Sequence, residues 1–407
     1  MDVGDLALWL LVLVAVHGLL VFHVAWVGLV KTRRWLMGRR NSFRDPGPGF
    51  ALAGAPPSVA FLVAAHNEER TIGPCIESIL AQTVPSSEII VIDDASTDGT
   101  ASVVERYRAR GVRLIRLMAN RGKTSAIEIG LEATRARFVA ITDADSLVDA
   151  RYLEHVLPHF EDAEVAAVAG RVDSLPQSWV TAARQVEYMI AIEVDRHAES
   201  EMSALLVLPG VSTTYRTSVL REMGFERDTI AEDIDLTFRL HRAGRQMRLE
   251  RDATVRTSDP LTLKDYYRQV RRWDNDFWLT IVKHRAMIGR TRFGIVSFPL
   301  TAAATLVHSV IVLGVPLYLL VARPGMLPYY IIGQLAWDAA LAVTAALLYR
   351  RWDVLWACAS RYPTRVLSRI SSPWAFARVL AGKPLRTWRK LERRSTASLQ
   401  LQQAMAR

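Results

Sequence analysis

Cysteine is almost absent. Cys75 and Cys358 are the only two among 407 residues. That excludes a disulfide framework and suits thiols in a reducing compartment. Internal repeats and low-complexity segments are also missing. Between about residues 56 and 290 no apolar run is long enough to cross a bilayer. Acids are outnumbered, and the net charge is +10. The excess is local: from Arg350 to Arg407 there are 13 Lys/Arg against Asp353 and Glu392, so the rest of the chain is close to neutral. A nucleic-acid binder carries such charge on its folded domain. Here a tail beside apolar runs carries it, which points to an anionic membrane surface and away from nucleic acid. With 50% hydrophobic and 23% charged residues, the chain is neither disordered nor short of core material.

Residues 6–30 carry no formal charge, enough to span about 30 Å of hydrocarbon. Asp2 and Asp5 precede the run; Lys31, Arg33, Arg34, Arg39 and Arg40 follow it. A signal peptide has a basic start and a shorter core, so 1–31 is expected to be a retained helix with its amino end outside. Two further uncharged or nearly uncharged runs, 295–321 and 327–349, predict a helical hairpin over 295–350. The multi-pass arrangement leaves the middle of the chain at the cytoplasmic face of the inner (cytoplasmic) membrane. Asp338 is the acid inside these spans, and it either lines a polymer path or pairs with His308. Segment 351–407 is expected to be a basic amphipathic interfacial segment and tail. Within it, 353–381 lies in the headgroup zone, where Arg361, Arg365 and Arg369 share one helical face and Trp352, Trp356, Trp374 and Trp388 favour the boundary.

The middle alternates buried strands, Ser58–Ala64, Glu88–Asp93, Val112–Leu117 and Arg137–Thr142, with helices near 70–82, 98–109 and 122–134. That order implies an α/β fold with a parallel sheet covered on both faces. Ligands of such sheets bind beyond the carboxyl ends of the strands. Polar residues stand there: His66-Asn67-Glu68-Glu69, then Asp93-Asp94-Ala95-Ser96-Thr97-Asp98-Gly99, then Asp143-Ala144-Asp145. Any one acid reads as a turn or cap residue, but three sets in register read as one site. Two carboxylates on a tight turn suit a hard divalent cation with water and phosphate oxygens.

The series AAHNEE, VIDDASTDGT, GKTSAIEIGL, ITDADS, IAEDIDLTFRL and QVRRW resembles the processive family 2 glycosyltransferases, the group of bacterial cellulose, chitin, hyaluronan and poly-N-acetylglucosamine synthases. The resemblance covers about residues 56–290. It implies a GT-A nucleotide-diphospho-sugar transferase domain with flanking transmembrane helices: catalytic domain 56–260, and an interfacial helix 261–292 bearing Gln269-x-x-Arg272-Trp273. It also implies a UDP-sugar donor, with His66, Glu68, Asp94, Lys123, Asp143, Asp145 and Arg272 on the donor side. His66 stands where the family usually has Tyr or Phe. Asp143 and Asp145 would hold Mg2+ or Mn2+. Asp233, beside Glu232, is the implied catalytic base, with Ala231 where the family more often has Thr. Gly210, Gln269 and Trp273 would meet a growing glycan acceptor.

The expected activity is β-linked polymerisation from a UDP-sugar, UDP-N-acetylglucosamine above others, coupled to export. Three spans are few for unaided export. A homo-oligomer, a second membrane subunit or re-entry of 353–381 would complete the path. The alternatives are a non-processive transferase acting on a lipid or short glycan, and a catalytically silent sugar-nucleotide-binding partner.

Overall fold

Strands covered on both faces need no polar alternation, and β1 (Val59–Ala65), β2 (Glu88–Asp93) and β4 (Phe138–Asp143) are accordingly almost continuous apolar runs. In the computed structural model these strands and β3 (Val112–Arg116) lie within one residue of their expected ends. The structure describes residues 58–385, save 176, 192–195, 197–198, 201, 227–230, 296 and 350–351. The apolar run at 6–30 and the tail from 386 onward lie outside the described residues.

The described chain forms two units, 58–173 with 207–258, and 174–206 with 259–385. The first is built on an eight-stranded sheet in the order β3-β2-β1-β4-β7-β6-β8-β5. The first four strands are parallel, as expected. The sheet as a whole is mixed, because β7 (Thr213–Arg216) runs antiparallel to both β4 and β6 (Val165–Ser174), and β5 (Ser146–Val148) antiparallel to β8 (Gln246–Thr257). The all-parallel expectation fails where strands are short or charge-bearing. Thr213–Arg216 has four residues, and Gln246–Thr257 alternates buried with partly exposed positions, the mark of an antiparallel strand with one wetter face.

Register positions the acids. Ala65 of β1 pairs with Asp93, and Ala64 pairs with Asp143. Neighbouring strands are about 4.8 Å apart, so both carboxylates reach the same sheet edge. The Lys123–Ala133 helix then packs so closely that a Cβ on Gly130 would lie 2.8 Å from Cδ1 of Ile92.

The second unit is helical. Its Trp179–Ile190 helix opens with a capping box between Ser178 and Thr181, which satisfies otherwise orphaned N–H groups. The Leu263–Lys283 helix is capped by Thr262, whose hydroxyl accepts from the Asp265 N–H. This helix packs along Cys358–Leu380 through Trp278. The indole is buried, donates to Ser372 Oγ at 2.9 Å and lies 4.5 Å from the Phe376 ring. Among the described residues, one helix, Arg292–Ala322, is long and apolar enough to cross a membrane. Leu327–Tyr349 is helical too and contains Asp338, fully buried. Its carboxylate pairs with Arg361 at 3.3 Å and Arg365 at 3.0 Å. Those cations, expected at the headgroups, turn inward because a buried carboxylate requires compensation.

Candidate active site

Two loops at the carboxyl end of the sheet are stitched together by short polar side chains. Asn67, at φ 55°, donates its N–H to Ser96 Oγ and accepts from the Thr97 N–H. Glu68 donates its N–H to Thr100 Oγ1, and its own Oε2 accepts from Thr71. His66 Nδ1 lies 2.8 Å from the Asp94 carbonyl oxygen. The Asp94 carboxylate is buried and accepts from two successive N–H groups, Arg121 at 2.7 Å and Gly122 at 2.8 Å. It therefore anchors the turn from which Lys123 emerges. Gly122 caps that helix at φ 84°, left-handed backbone that glycine tolerates best.

Lys123 is the centre of the arrangement. Its Nζ lies 2.5 Å from Asp143 Oδ1 and 3.7 Å from Glu232 Oε1, and it donates to the Gly210 carbonyl at 3.3 Å. Desolvation is the largest single influence on the ammonium and pulls its pKa down, yet Asp143, Glu232 and Asp233 together hold it above the ordinary lysine value. Gly210 turns its N–H to Asp233 Oδ2 at 3.3 Å, so the loop before β7 bridges the lysine and the Glu232–Arg242 helix. A Cβ at Gly210 would stand 3.5 Å from both Lys123 Nζ and Asp233 Cβ, which makes this glycine a spacer. Asp233 Oδ1 accepts from the Ile234 N–H. Burial, first, with Asp233 and Asp143, pushes the Glu232 carboxyl above its ordinary pKa against the pull of Lys123. Asp145 is buried two residues beyond Asp143.

Lys123, Asp143, Gly210, Glu232 and Asp233 are thus gathered directly, with His66, Glu68, Asp94 and Asp145 on the same strand-end loops. One ammonium among three carboxylates can exchange partners with an incoming phosphate. A metal's fit rests on donor chemistry. Among the described residues no group of three or more His, Cys, Asp and Glu is assembled to hold one. Asp143 and Asp145 supply hard oxygens of the kind Mg2+ or Mn2+ takes, and such ions complete their shells with water and phosphate.

Gln269, Arg272 and Trp273 belong to the helical unit, spaced along one face of the Leu263–Lys283 helix. Trp273 is 38% exposed. Beneath it lies Arg184, a residue the sequence offered no motif to find. Its guanidinium carbon is 4.2 Å from the Trp273 ring centroid, and Nη2 donates to Gln269 Oε1 at 3.4 Å. Such cation–π contacts are worth roughly 0.5–2 kcal/mol, more when desolvated. Two of the polar residues that follow Trp273, Asn275 and Asp276, are buried, and Asn275 holds the backbone of Leu385.

Burial pushes the Asp274 carboxyl up to about 6, although Ser371, Arg369 and Arg184 oppose the shift. A raised carboxyl favours the fold below the ordinary Asp range and loses that contribution as pH climbs through about 6. Asp274→Asn should therefore raise the melting temperature at pH 7.5 and bring no gain at pH 4. The difference is at most about 3 kcal/mol. Thermal unfolding of both proteins at the two pH values measures it, and equal gains at both would refute the burial effect.

The family model described as glycosyltransferase like family 2 matches residues 56–275. The poly-beta-1,6-N-acetyl-D-glucosamine synthase of Staphylococcus epidermidis is 28% identical over 235 residues, 55% of this chain and 57% of the relative. The enzyme of that name from Staphylococcus aureus (strain COL) is 29% identical over 219 residues, 53% of each. The chain thus spans about half the length of the curated relatives it matches. Among solved structures, a mannosyltransferase from Pyrobaculum calidifontis, in complex with GDP-Man and Mn2+, aligns with a TM-score of 0.52 and 23% identity, covering 89% of this chain and 99% of that one. That likeness shows the fold, the GT-A type of α/β sandwich.

Proposed function

We propose, from the premise that this chain belongs to the family 2 glycosyltransferases, that it polymerises a β-linked polysaccharide from UDP-N-acetylglucosamine at the cytoplasmic face of a membrane. The observation that carries the reading is Lys123 at the strand ends, held among Asp143, Glu232 and the carbonyl of Gly210, whose own N–H meets Asp233. Such a clamp suits the diphosphate of a sugar nucleotide, the part that departs with the nucleoside once the sugar is transferred. The relatives' name supports N-acetylglucosamine as the sugar.

In this reading His66, Glu68 and Asp94 border the nucleoside, and Lys123 with Arg272 faces the diphosphate. Asp143 and Asp145 would hold Mg2+ or Mn2+, which neutralises charge on the departing UDP. Asp233 takes the proton from an acceptor hydroxyl as that oxygen attacks the anomeric carbon. The bond to UDP breaks on the opposite face, its electron pair leaves with the β-phosphate oxygen, and the configuration inverts. Glu232 is kept beside Lys123 as a second acid of raised pKa. Gln269 and Trp273 receive the glycan's terminal sugar, with Gly210 at the acceptor side.

The domain plan follows: a membrane helix at 1–31, the catalytic domain at 56–260, the motif helix at 261–292, two membrane helices at 295–350 and a basic segment at 351–407 on anionic lipid. A homo-oligomer or second membrane subunit completes an export path. A second reading, transfer of one sugar to a lipid or short glycan, is favoured by the small number of spans, three in this plan.

The test is incubation of membranes carrying the protein with a panel of UDP-sugars, followed by sizing and linkage-specific digestion of the product. A long β-linked N-acetylglucosaminyl polymer supports the first reading; a single added sugar selects the second. Separately, Asp145→Ala should abolish the gain in UDP affinity that Mg2+ brings, measured by calorimetry with and without metal. An unchanged gain would remove Asp145 from the site.

A further inference from the structure

Beneath the exposed Trp273 lies a buried polar cluster that the proposed chemistry leaves unused. Arg184 is 6% exposed, on the Trp179–Ile190 helix. Its Nη1 pairs with Glu187 at 2.8 Å, and its Nε lies 3.8 Å from Asp259. Glu187 in turn accepts from Tyr266 Oη at 3.2 Å and Thr364 Oγ1 at 3.2 Å. Arg184 is thereby fixed from three helices, and its charge is balanced before any substrate arrives. Its guanidinium carbon also lies 5.0 Å and 5.3 Å from the Tyr188 and Tyr266 ring centroids, and toward the exposed indole it offers a contact 4.2 Å from the Trp273 ring centroid and one N–H to Gln269 Oε1.

An arginine only donates. Gln269 must therefore turn its oxygen to Arg184 and carry its NH2 away from it. The amide's outward group is then a donor, suited to a hydroxyl or acetamido carbonyl. The guanidinium plane meanwhile limits the tilt of the indole, as stacked arginines do and lysines cannot. We propose that Arg184 is a positioning residue for acceptor recognition. It sets the plane of Trp273 and the orientation of the Gln269 amide, so that a sugar ring stacks on the indole while Gln269 donates to a sugar oxygen. The proposal rests on the acceptor role given above to Trp273 and Gln269.

Two variants of the full chain test it, Arg184→Met, which keeps bulk without charge, and Arg184→Lys, which keeps charge without the plane. With UDP-N-acetylglucosamine as donor and β-linked N-acetylglucosamine oligosaccharides as primers, Arg184→Met should raise the primer KM at least about tenfold. Arg184→Lys should raise it by several-fold. The donor KM should stay within about twofold in both, a split that general unfolding would not give. In protein labelled with 5-fluorotryptophan, the fluorine resonance of Trp273, assigned by its loss in Trp273→Phe, should shift in both variants while the Trp278 resonance holds. An unmoved Trp273 resonance, or an unchanged primer KM in Arg184→Lys, overturns the proposal, and the lysine variant decides it if Arg184→Met fails to fold. A wild-type protein that elongates no primer instead overturns the functional reading, and the fluorine spectra still report whether Arg184 sets the indole.

Discussion

Replacing Asp233 by asparagine should lower turnover about 10²–10⁴-fold, the usual weight of a general base, while the dissociation constant for UDP changes less than about threefold. The geometry explains the split. Asp233 opens the Glu232–Arg242 helix, accepts from the Ile234 N–H at 2.8 Å and meets the Gly210 N–H at 3.3 Å. Asparagine preserves an oxygen for one of these contacts and nearly the same volume, so the loop keeps its place. It cannot take the acceptor's proton. Glu232→Gln is the control, because Glu232 pairs with Lys123 and its loss should weaken donor binding as well as turnover. If Asp233→Asn turned over normally while Glu232→Gln did not, the base would be Glu232.

Lys123→Met should raise the UDP dissociation constant about 10–100-fold, the cost expected when a charge-assisted contact is lost and carboxylates stand uncompensated. The same change should alter the pH profile. Lys123 is the chief influence holding the Glu232 carboxyl down, against burial and its acidic neighbours. Without it Glu232 moves further up, so its ionised form appears at higher pH than in the wild type. Any acidic limb that Glu232 contributes to kcat/KM must then shift upward. Calorimetry with UDP and a pH–rate series on both proteins measure these effects. Tight UDP binding by Lys123→Met would exclude the lysine from the diphosphate site.

Much of the catalytic unit was legible in the sequence because its central strands are covered on both faces. Residues 88–93 and their neighbours appear as short apolar runs ending in acids, and strand register did the rest by setting Asp93 and Asp143 beside β1. The antiparallel half was not legible. Arg248, Glu250 and Asp252 mask the inward alternation of Gln246–Thr257. Nor was the hub. Lys123 meets Gly210 across 87 residues of sequence, and no spacing rule joins a helix start to a distant loop. Arg184 is a lone cation in an amphipathic helix, the ordinary guise of a surface residue, yet the fold buries it. The stripe Arg361, Arg365 and Arg369 was visible as a stripe. Which way Arg361 and Arg365 faced depended on Asp338, more than twenty residues earlier, whose buried carboxylate pairs with both.

A structure of the full-length chain with UDP and Mg2+ tests the central claim most directly. The account predicts the pyrophosphate against Lys123, the metal on Asp143 and Asp145, and Asp233 facing the position the anomeric carbon would take. A pyrophosphate bound elsewhere, with Lys123 still clasping Asp143 and the Gly210 carbonyl, would contradict it.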